Sequence, residues 1–166
     1  MHPTLKVFFA ADHAGFELKN TLLSFVRDEL KYEVEDMSGK TYDMEDDYPK
    51  IVARAAQAVG AMPEHHRAIV IGASGQGEAI VANRFPHVRA TVYYGYVGKQ
   101  QTDASGKILD LISSLRAHND SNVLSLGARF LNESEAKDAV RLWLVTPFSG
   151  EERHARRNAQ IDHVRE

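Results

Sequence analysis

The sequence contains no cysteine, no long apolar run and no excess of positive charge, and each absence excludes a class of protein. Without cysteine the chain cannot form a disulfide, a thiolate metal site or a cysteine nucleophile. No apolar run approaches the roughly 20 residues needed to cross a bilayer, and Asp12 ends the first one too early for a signal peptide. A formal net charge of −3 argues against nucleic acid as the main partner. We therefore expect a cytoplasmic protein with no nucleic-acid or membrane partner.

Apolar runs typical of strands alternate with amphipathic helical patterns along the chain. The predicted strands are residues 6–11, 32–37, 68–72, 88–94 and 122–126. The predicted helices are residues 16–30, 51–59, one that starts around Glu78 and runs through about Arg84, 136–145 and about 151–165. This alternation predicts a three-layer, Rossmann-like α/β fold, with an open parallel sheet of about five strands and helices on both faces. We expect residues 1–166 to form one domain.

Two titratable residues follow the first predicted strand. Asp12 and His13 come directly after it, and open parallel sheets bind ligands at the carboxyl ends of their strands. A carboxylate in this position can also cap the next helix. The sequence alone leaves both roles open for Asp12.

A glycine-rich turn follows the third predicted strand and has the sequence Gly72-Ala73-Ser74-Gly75-Gln76-Gly77-Glu78. Its glycines allow the backbone to approach a ligand and to turn its amides toward an anion. The glycine spacing is not that of a dinucleotide-binding fold, and no lysine follows as in a P-loop. Glu78 stands at the start of the next helix, where its simplest role is to complement the helix dipole.

Basic and polar residues that could hold an anion occur in the second half of the chain. His118 and Asn119 precede the fifth predicted strand, and Arg129 follows it. Arg153 and Arg157 are four residues apart and share one face of the last helix. Two guanidinium groups at this spacing suit a phosphate. For each of these residues, taken singly, a solvated surface is the simpler interpretation.

Two further groups are interpreted as facing solvent rather than as sites. Glu64-His65-His66 are adjacent in the loop before a strand, which is more typical of solvated residues than of a metal site. The acidic run 43–47 lacks the spaced ligands of a calcium loop. We expect no bound metal.

In their order along the chain, these motifs resemble the ribose-5-phosphate isomerase B family of sugar-phosphate isomerases, which includes the galactose-6-phosphate isomerase subunits. The resemblance runs almost from end to end. Its motifs are Asp12-His13-Ala14-Gly15-Phe16 with Lys19, Asp47-Tyr48-Pro49, residues 72–77, Ala82-Asn83-Arg84, Val88-Arg89-Ala90, His118-Asn119-Asp120, Asn122-Val123-Leu124, Gly127-Ala128-Arg129 and Arg153-His154-Ala155-Arg156-Arg157.

The resemblance implies an isomerase that interconverts ribose 5-phosphate and ribulose 5-phosphate through a cis-enediolate, with no metal and no organic cofactor. Many members of the family carry a catalytic cysteine where this chain has Gly72. The chain is instead similar to a subgroup in which a glutamate after the second loop glycine is the base, and that residue here is Glu78. Burial beside the substrate should raise the pKa of this carboxylate, against the lowering effect of the helix N-terminus.

The resemblance also implies the remaining roles. Asp12 and His118 would open the sugar ring, and Ser74 would contact the sugar hydroxyls and relay a proton. The implied substrate-binding residues are His13, Gly75, Gln76, Gly77, Asn119, Arg129, Arg153 and Arg157. The family forms homodimers or homotetramers with the active site between subunits, so helix 151–165 is expected at a subunit interface.

Two alternatives stay open from the sequence. The same residues could act on a tetrose or hexose phosphate, such as erythrulose 4-phosphate, allose 6-phosphate or galactose 6-phosphate. A non-catalytic protein that binds sugar phosphates could share the fold without needing Glu78 as a base. The chain also departs from the family in a longer stretch around residues 99–110, which is predicted to be a surface insertion that affects substrate size or subunit contacts.

Overall fold

A computed structural model describes residues 5–96, 98–99, 101–103 and 105–164 of the chain, and a parallel sheet forms its centre. The strands in chain order are β1 Lys6–Ala11, β2 Glu33–Asp36, β3 His66–Gly72, β4 Ala90–Tyr93, β5 Gln101–Thr102, β6 Ile108–Leu109 and β7 Val123–Gly127. Five of them form the parallel sheet in the order β2-β1-β3-β7-β4. The short strands β5 and β6 form a separate antiparallel pair.

Helices cover both faces of the sheet. They are α1 Phe16–Ser24, extended by a π-helical turn Phe25–Glu29, α2 Tyr48–Ala61, α3 Gln76–Ala82, α4 Leu111–Ala117, α5 Glu133–Val145 and α6 Glu152–Asp162. Successive side chains of a strand point to opposite faces, so Val7 and Phe9 pack with α1, α4 and α5, while Phe8 and Ala10 pack with α2 and α3. The predicted three-layer fold with five parallel strands is confirmed.

The structure differs from the prediction in the region between β4 and β7. Helix α4 was not predicted, and it begins where the Asp110 carboxylate accepts a hydrogen bond from the amide of Ser113. The stretch interpreted as an insertion contains the β5–β6 pair, while Val97, Gln100 and Ala104 lie outside the described residues. Helix α6 ends at Asp162, and Arg165, the predicted end of this helix, lies outside the described residues as well.

The order in which strands are added to the sheet reverses at β1. The chain places β2 on one side of β1 and then returns to place β3 on the other side, so the reversal point lies between β1 and β3. Ala11 is paired with Ile71, so Asp12 and Gly72 leave the sheet side by side at its carboxyl edge. Open parallel sheets bind their ligands at such a reversal point. In the part of the chain that the structure describes, no helix combines the length and the hydrophobicity needed to cross a membrane.

Candidate active site

The Glu78 carboxylate is buried at the reversal point of the sheet. Glu78 lies in the first turn of α3, and 4% of its surface is exposed. Its carboxylate lies against Gly72, so closely that a Cβ atom on residue 72 would overlap Oε1 and Cδ and lie 2.7 Å from Oε2. Burial raises the pKa of Glu78, against a backbone hydrogen bond that lowers it, and the nearby charge of Asp12 adds to the increase. The sequence-based prediction concerned the carboxylate with substrate bound beside it, and it stays a prediction.

Asp12 is buried next to this carboxylate and caps the turn that follows β1. Its Oδ1 accepts hydrogen bonds from the amides of Ala14 at 3.0 Å and Gly15 at 3.2 Å. The capping role that the sequence left open is therefore present. Its charge also acts on Glu78, so the two carboxylates belong to one electrostatic unit.

The turn between β3 and α3 is held tightly by its neighbours. Gly75 has a φ of 76°, a left-handed conformation that favours glycine, and its carbonyl accepts a hydrogen bond of 2.6 Å from the buried Ser125 hydroxyl. The Ser74 hydroxyl accepts a hydrogen bond of 3.3 Å from the amide of Gln76. These contacts fix the backbone of the turn beside Glu78.

His13 is held by Asp46, a residue that the sequence analysis did not connect with the site. Asp46 Oδ1 accepts hydrogen bonds from the His13 amide at 3.0 Å and from Nδ1 of its ring at 2.9 Å. This pairing raises the pKa of His13. The interpretation of the acidic run 43–47 as solvent-facing is therefore wrong for Asp46, which is half-buried. No local pattern could show a pairing across 33 positions of the chain.

Tyr48 is a second residue at this site whose role the sequence did not predict. It begins α2, and its hydroxyl lies against Gly77, where a Cβ atom would overlap it. Its ring therefore covers the glycine-rich turn from the α2 side. The Asp47-Tyr48-Pro49 motif was the signal that could have identified it.

Arg129 joins this group at the carboxyl edge of the sheet. Its amide donates a hydrogen bond of 3.1 Å to the carbonyl of Ala73, and its charge acts on the His13 imidazole. We refer to Asp12, His13, residues 74–78 and Arg129 as the carboxyl-edge group.

The other predicted site residues lie at the amino edge of the sheet. His118 and Asn119 come immediately before β7, and α6, which carries Arg153 and Arg157, packs beside them. Asn158 of α6 donates a hydrogen bond of 3.2 Å to the His118 carbonyl. We refer to His118, Asn119, Arg153 and Arg157 as the amino-edge group.

Two arginines fix the loop that carries His118. Arg89 donates hydrogen bonds of 2.9 Å to the Asn119 carbonyl and to the Asp120 carboxylate. The Arg116 guanidinium lies 2.7 Å from the other Asp120 oxygen. Asp120 has a φ of 44°, so these ion pairs hold the loop in a left-handed turn before β7.

Strand β7 separates the two groups. His118 and Asn119 precede it and Arg129 follows it, and its five residues at about 3.3 Å each span roughly 16 Å. One chain thus brings the carboxyl-edge group together but leaves the amino-edge group at the opposite edge of the same sheet.

His66 is the first residue of β3 and is half-buried, so its interpretation as solvent-facing is wrong. The His66 ring donates from Nδ1 to the Ala58 carbonyl at 2.7 Å and packs edge-on against Phe8. Across the described ranges, no three His, Cys, Asp or Glu side chains are grouped in a way that could hold a metal ion.

Comparison with known proteins places this architecture in a family. Residues 7–161 match the family model described as Ribose/Galactose Isomerase. The chain is 33% identical over 153 residues to ribose-5-phosphate isomerase B of Mycobacterium tuberculosis, covering 92% of this chain and 85% of that relative.

Two solved structures share the fold over nearly their whole length. Ribose-5-phosphate isomerase B from Mycoplasma genitalium, with bound ribulose-5-phosphate, superposes with a TM-score of 0.83 at 28% identity, covering 98% of this chain and 97% of its own. The enzyme from Clostridium thermocellum gives a TM-score of 0.81 at 33% identity, covering 96% and 97%. The family model spans far more than half of the chain, and the chain therefore belongs to the ribose/galactose isomerase family.

Proposed function

We propose that this chain interconverts ribose 5-phosphate and ribulose 5-phosphate, with Glu78 as the base. The observation that carries the proposal is the Glu78 carboxylate, buried against Gly72 at the reversal point of the sheet. The relative from Mycobacterium tuberculosis is named a ribose-5-phosphate isomerase, and the structure from Mycoplasma genitalium contains ribulose-5-phosphate, the ketose of this pair.

The chemistry required is the movement of one proton between neighbouring carbons. Glu78 would remove the proton from carbon-2 of the open aldose and return it to carbon-1 through a cis-enediolate. A general base works best when its pKa lies near the operating pH, and burial moves the pKa of Glu78 in that direction. Amides of the turn 74–77 would stabilise the developing oxyanion, a contribution of roughly 10²–10³ in rate for each donor.

The geometry also accounts for a glycine where many family members have a cysteine. The Glu78 carboxylate fills the volume that a side chain on residue 72 would occupy. The carboxylate therefore lies where the cysteine side chain would begin in those relatives. This overlap supports the assignment of Glu78 as the base in place of the thiolate.

The substrate phosphate would be held by cationic side chains. The hydrogen bond from His13 to Asp46 favours the protonated imidazole, and Arg129 lies at the same edge of the sheet. Arg153 and Arg157 are exposed and, among the described residues, form no ion pair. Their guanidinium groups are therefore available to a phosphate.

We infer that two copies of the chain complete each site, because a single copy leaves its amino-edge group at the wrong edge of the sheet. In this arrangement, one subunit supplies Glu78 and its partner supplies His118 and the arginines of α6. Two aromatic rings also lie at the carboxyl edge, since Tyr94 directly follows β4 and Phe130 follows Arg129 in the chain. Tyr94 and Phe130 pack edge-to-face at 5.7 Å while 39% and 62% of their surfaces remain exposed. Exposed aromatic rings of this kind are enriched in subunit interfaces.

A hydrogen-exchange experiment tests the role of Glu78. Incubation of the protein with ribulose 5-phosphate in D₂O should exchange one carbon-1 hydrogen for deuterium, because the enediolate is protonated from the solvent-exchanged base. Glu78→Gln should lower both this exchange and the isomerisation rate by roughly 10²–10⁴, while substrate binding persists. Near-normal exchange in Glu78→Gln would refute the assignment.

A complementation experiment tests the shared site. Glu78→Gln and His118→Asn are each expected to be nearly inactive, and they are co-expressed with different tags. In a random mixture about half of the dimers are mixed and each contains one intact site of two, so about a quarter of wild-type activity should return. If each chain built its own site, no activity would return.

Substrate size is tested separately. We expect the highest kcat/KM with the five-carbon substrate when tetrose, pentose and hexose phosphates are compared. Preference for a six-carbon phosphate would overturn the ribose assignment without affecting the role of Glu78.

A further inference from the structure

Helix α6 has two neighbouring faces that each carry a pair of residues four positions apart. Arg153 and Arg157 are exposed on one face, whereas His154 and Asn158 are buried on the other, with 5% and 7% of their surfaces exposed. The buried pair faces the loop that holds His118. The same helix thus presents charge to the outside and packs against a proposed catalytic residue on its inner side.

Residues 149–158 contact His118 at two points and its neighbour Ala117 at a third. The His154 ring stacks on the His118 ring, with a centroid distance of 4.3 Å and an angle of 34° between the planes. The Asn158 amide donates a hydrogen bond of 3.2 Å to the His118 carbonyl. The Ser149 amide donates one of 3.1 Å to the carbonyl of Ala117.

His154 is itself fixed. Its Nδ1 lies 3.0 Å from the Ser149 hydroxyl, and the nearest carboxylate, Glu151, is 4.0 Å away and exposed. Burial lowers the pKa of His154, and the positive charges of His118, Arg153 and Arg157 lower it further. The charge of Glu151 acts in the opposite direction, but the net lowering of the pKa favours the neutral form of the His154 ring that stacks on His118.

The far end of α6 is also anchored. Asp162 accepts two hydrogen bonds from Arg89, of 2.9 and 3.0 Å, and Arg89 holds the His118 loop through Asn119. Helix and loop therefore form one rigid unit, in which the orientation of the His118 ring depends on the ring stacked against it.

We propose that His154 is a positioning residue, which holds the His118 imidazole at the angle needed to open the sugar ring. This inference rests on the proposed function and extends it to a residue that acts through His118. Opening the sugar requires a proton donor and a proton acceptor within hydrogen-bond reach of the sugar's ring oxygen and hydroxyl. A His118 imidazole that rotated freely would therefore act less efficiently.

The test separates ring opening from proton transfer. Ribose 5-phosphate must be opened before it reacts. Ribulose 5-phosphate cannot close to a furanose because its carbon-5 oxygen carries the phosphate, so exchange of its carbon-1 hydrogen in D₂O needs only the base. His154→Ala should therefore slow the isomerisation of ribose 5-phosphate by roughly tenfold or more. The same variant should leave the carbon-1 exchange within about twofold of wild type, since that step depends on Glu78 as general base.

Two further variants complete the design. His154→Phe keeps an aromatic ring against His118 and should recover most of the isomerisation rate. Arg156→Ala, on the exposed side of α6 where it pairs with Glu152 at 3.8 Å, should change neither rate. If His154→Ala does not fold, Asn158→Ala should show the same division between isomerisation and exchange.

Either of two results would overturn the inference. A parallel loss of isomerisation and exchange in His154→Ala would show a general structural role, and no loss in either rate would show that His154 has no role. Failure of the proposed function gives a different result, because the wild-type protein would then show no exchange or Glu78→Gln would retain it.

Discussion

Replacement of Gly72 by alanine should disable the enzyme without unfolding it. The added Cβ atom would overlap Oε1 and Cδ of Glu78 and lie 2.7 Å from Oε2, whereas ordinary contact begins at 3.4 Å. The overlapping atoms belong to the end of a flexible side chain, so the carboxylate should yield while the backbone stays in place. Gly72 does not have a positive φ, and alanine can adopt its conformation.

The expected loss follows from this displacement. To reach ordinary contact distance the carboxylate must retreat by about 1 Å or more, and a misplacement of this size costs roughly 10²-fold in rate. We therefore expect kcat to fall by about 10² in Gly72→Ala. KM should change little, because His13 and Arg129, the residues proposed to bind the phosphate, are not displaced.

Steady-state kinetics and thermal unfolding check this prediction. Gly39→Ala is the matched control, since a Cβ atom there meets only the Thr41 carbonyl at 3.6 Å. Near-wild-type kcat in Gly72→Ala would refute the proposed position of the base.

A stronger version of this test combines Gly72→Cys with Glu78→Ala. The double variant places a thiol in the volume that the carboxylate vacates, and it should be more active than Glu78→Ala alone.

Three further predictions concern titration. Asp12 raises the pKa of Glu78, so Asp12→Asn should move the acid limb of the kcat/KM–pH profile to lower pH, and an unchanged midpoint would contradict this coupling. Because the pKa of Glu78 is raised by folding, the folded state gains stability as pH falls through that raised value, and the ionised carboxylate destabilises the fold at neutral pH. Glu78→Gln should accordingly raise Tm at pH 7 by roughly 2–4 °C, with a smaller difference near pH 4. Asp46 raises the pKa of His13, so Asp46→Asn should raise KM roughly fivefold at pH 7.5 and less at pH 5.5, because lower pH favours the protonated imidazole even without the carboxylate. The stability from this pair is fully present below the unfolded pKa of histidine and is lost as pH rises through the folded value, so unfolding of Asp46→Asn at pH 6 and pH 9 gives a second check.

The sheet could be predicted because its central strands are buried on both faces. Strand β1 contributes Val7 and Phe9 to one face and Phe8 and Ala10 to the other, so its sequence is a continuous apolar run. Helix α4 could not be predicted from periodicity, since two serines interrupt its seven residues. Its Asp110 cap was the available signal.

Much of the candidate site could be predicted one residue at a time, but its assembly could not. The pairing of His13 with Asp46 depends on how a loop folds back over β1, which no local pattern records. In contrast, the sequence could have predicted that His118 and Glu78 lie at opposite edges of the sheet. A residue placed before a parallel strand lies at the amino edge of the sheet, and a turn placed after one lies at the carboxyl edge.

The Glu78 carboxylate fills the space that a side chain on residue 72 would take, and this has a consequence for resistance to oxidation and alkylation. A thiolate base is exposed to oxidation and alkylation, and its higher oxidation states are irreversible. A carboxylate has no such chemistry, and this chain contains no cysteine. Hydrogen peroxide or iodoacetamide at concentrations that inactivate a thiolate-dependent relative should therefore leave turnover by this protein intact. If Glu78 is the base, a glycine at position 72 and a carboxylate at position 78 together give this protein a catalytic group that oxidative stress does not inactivate.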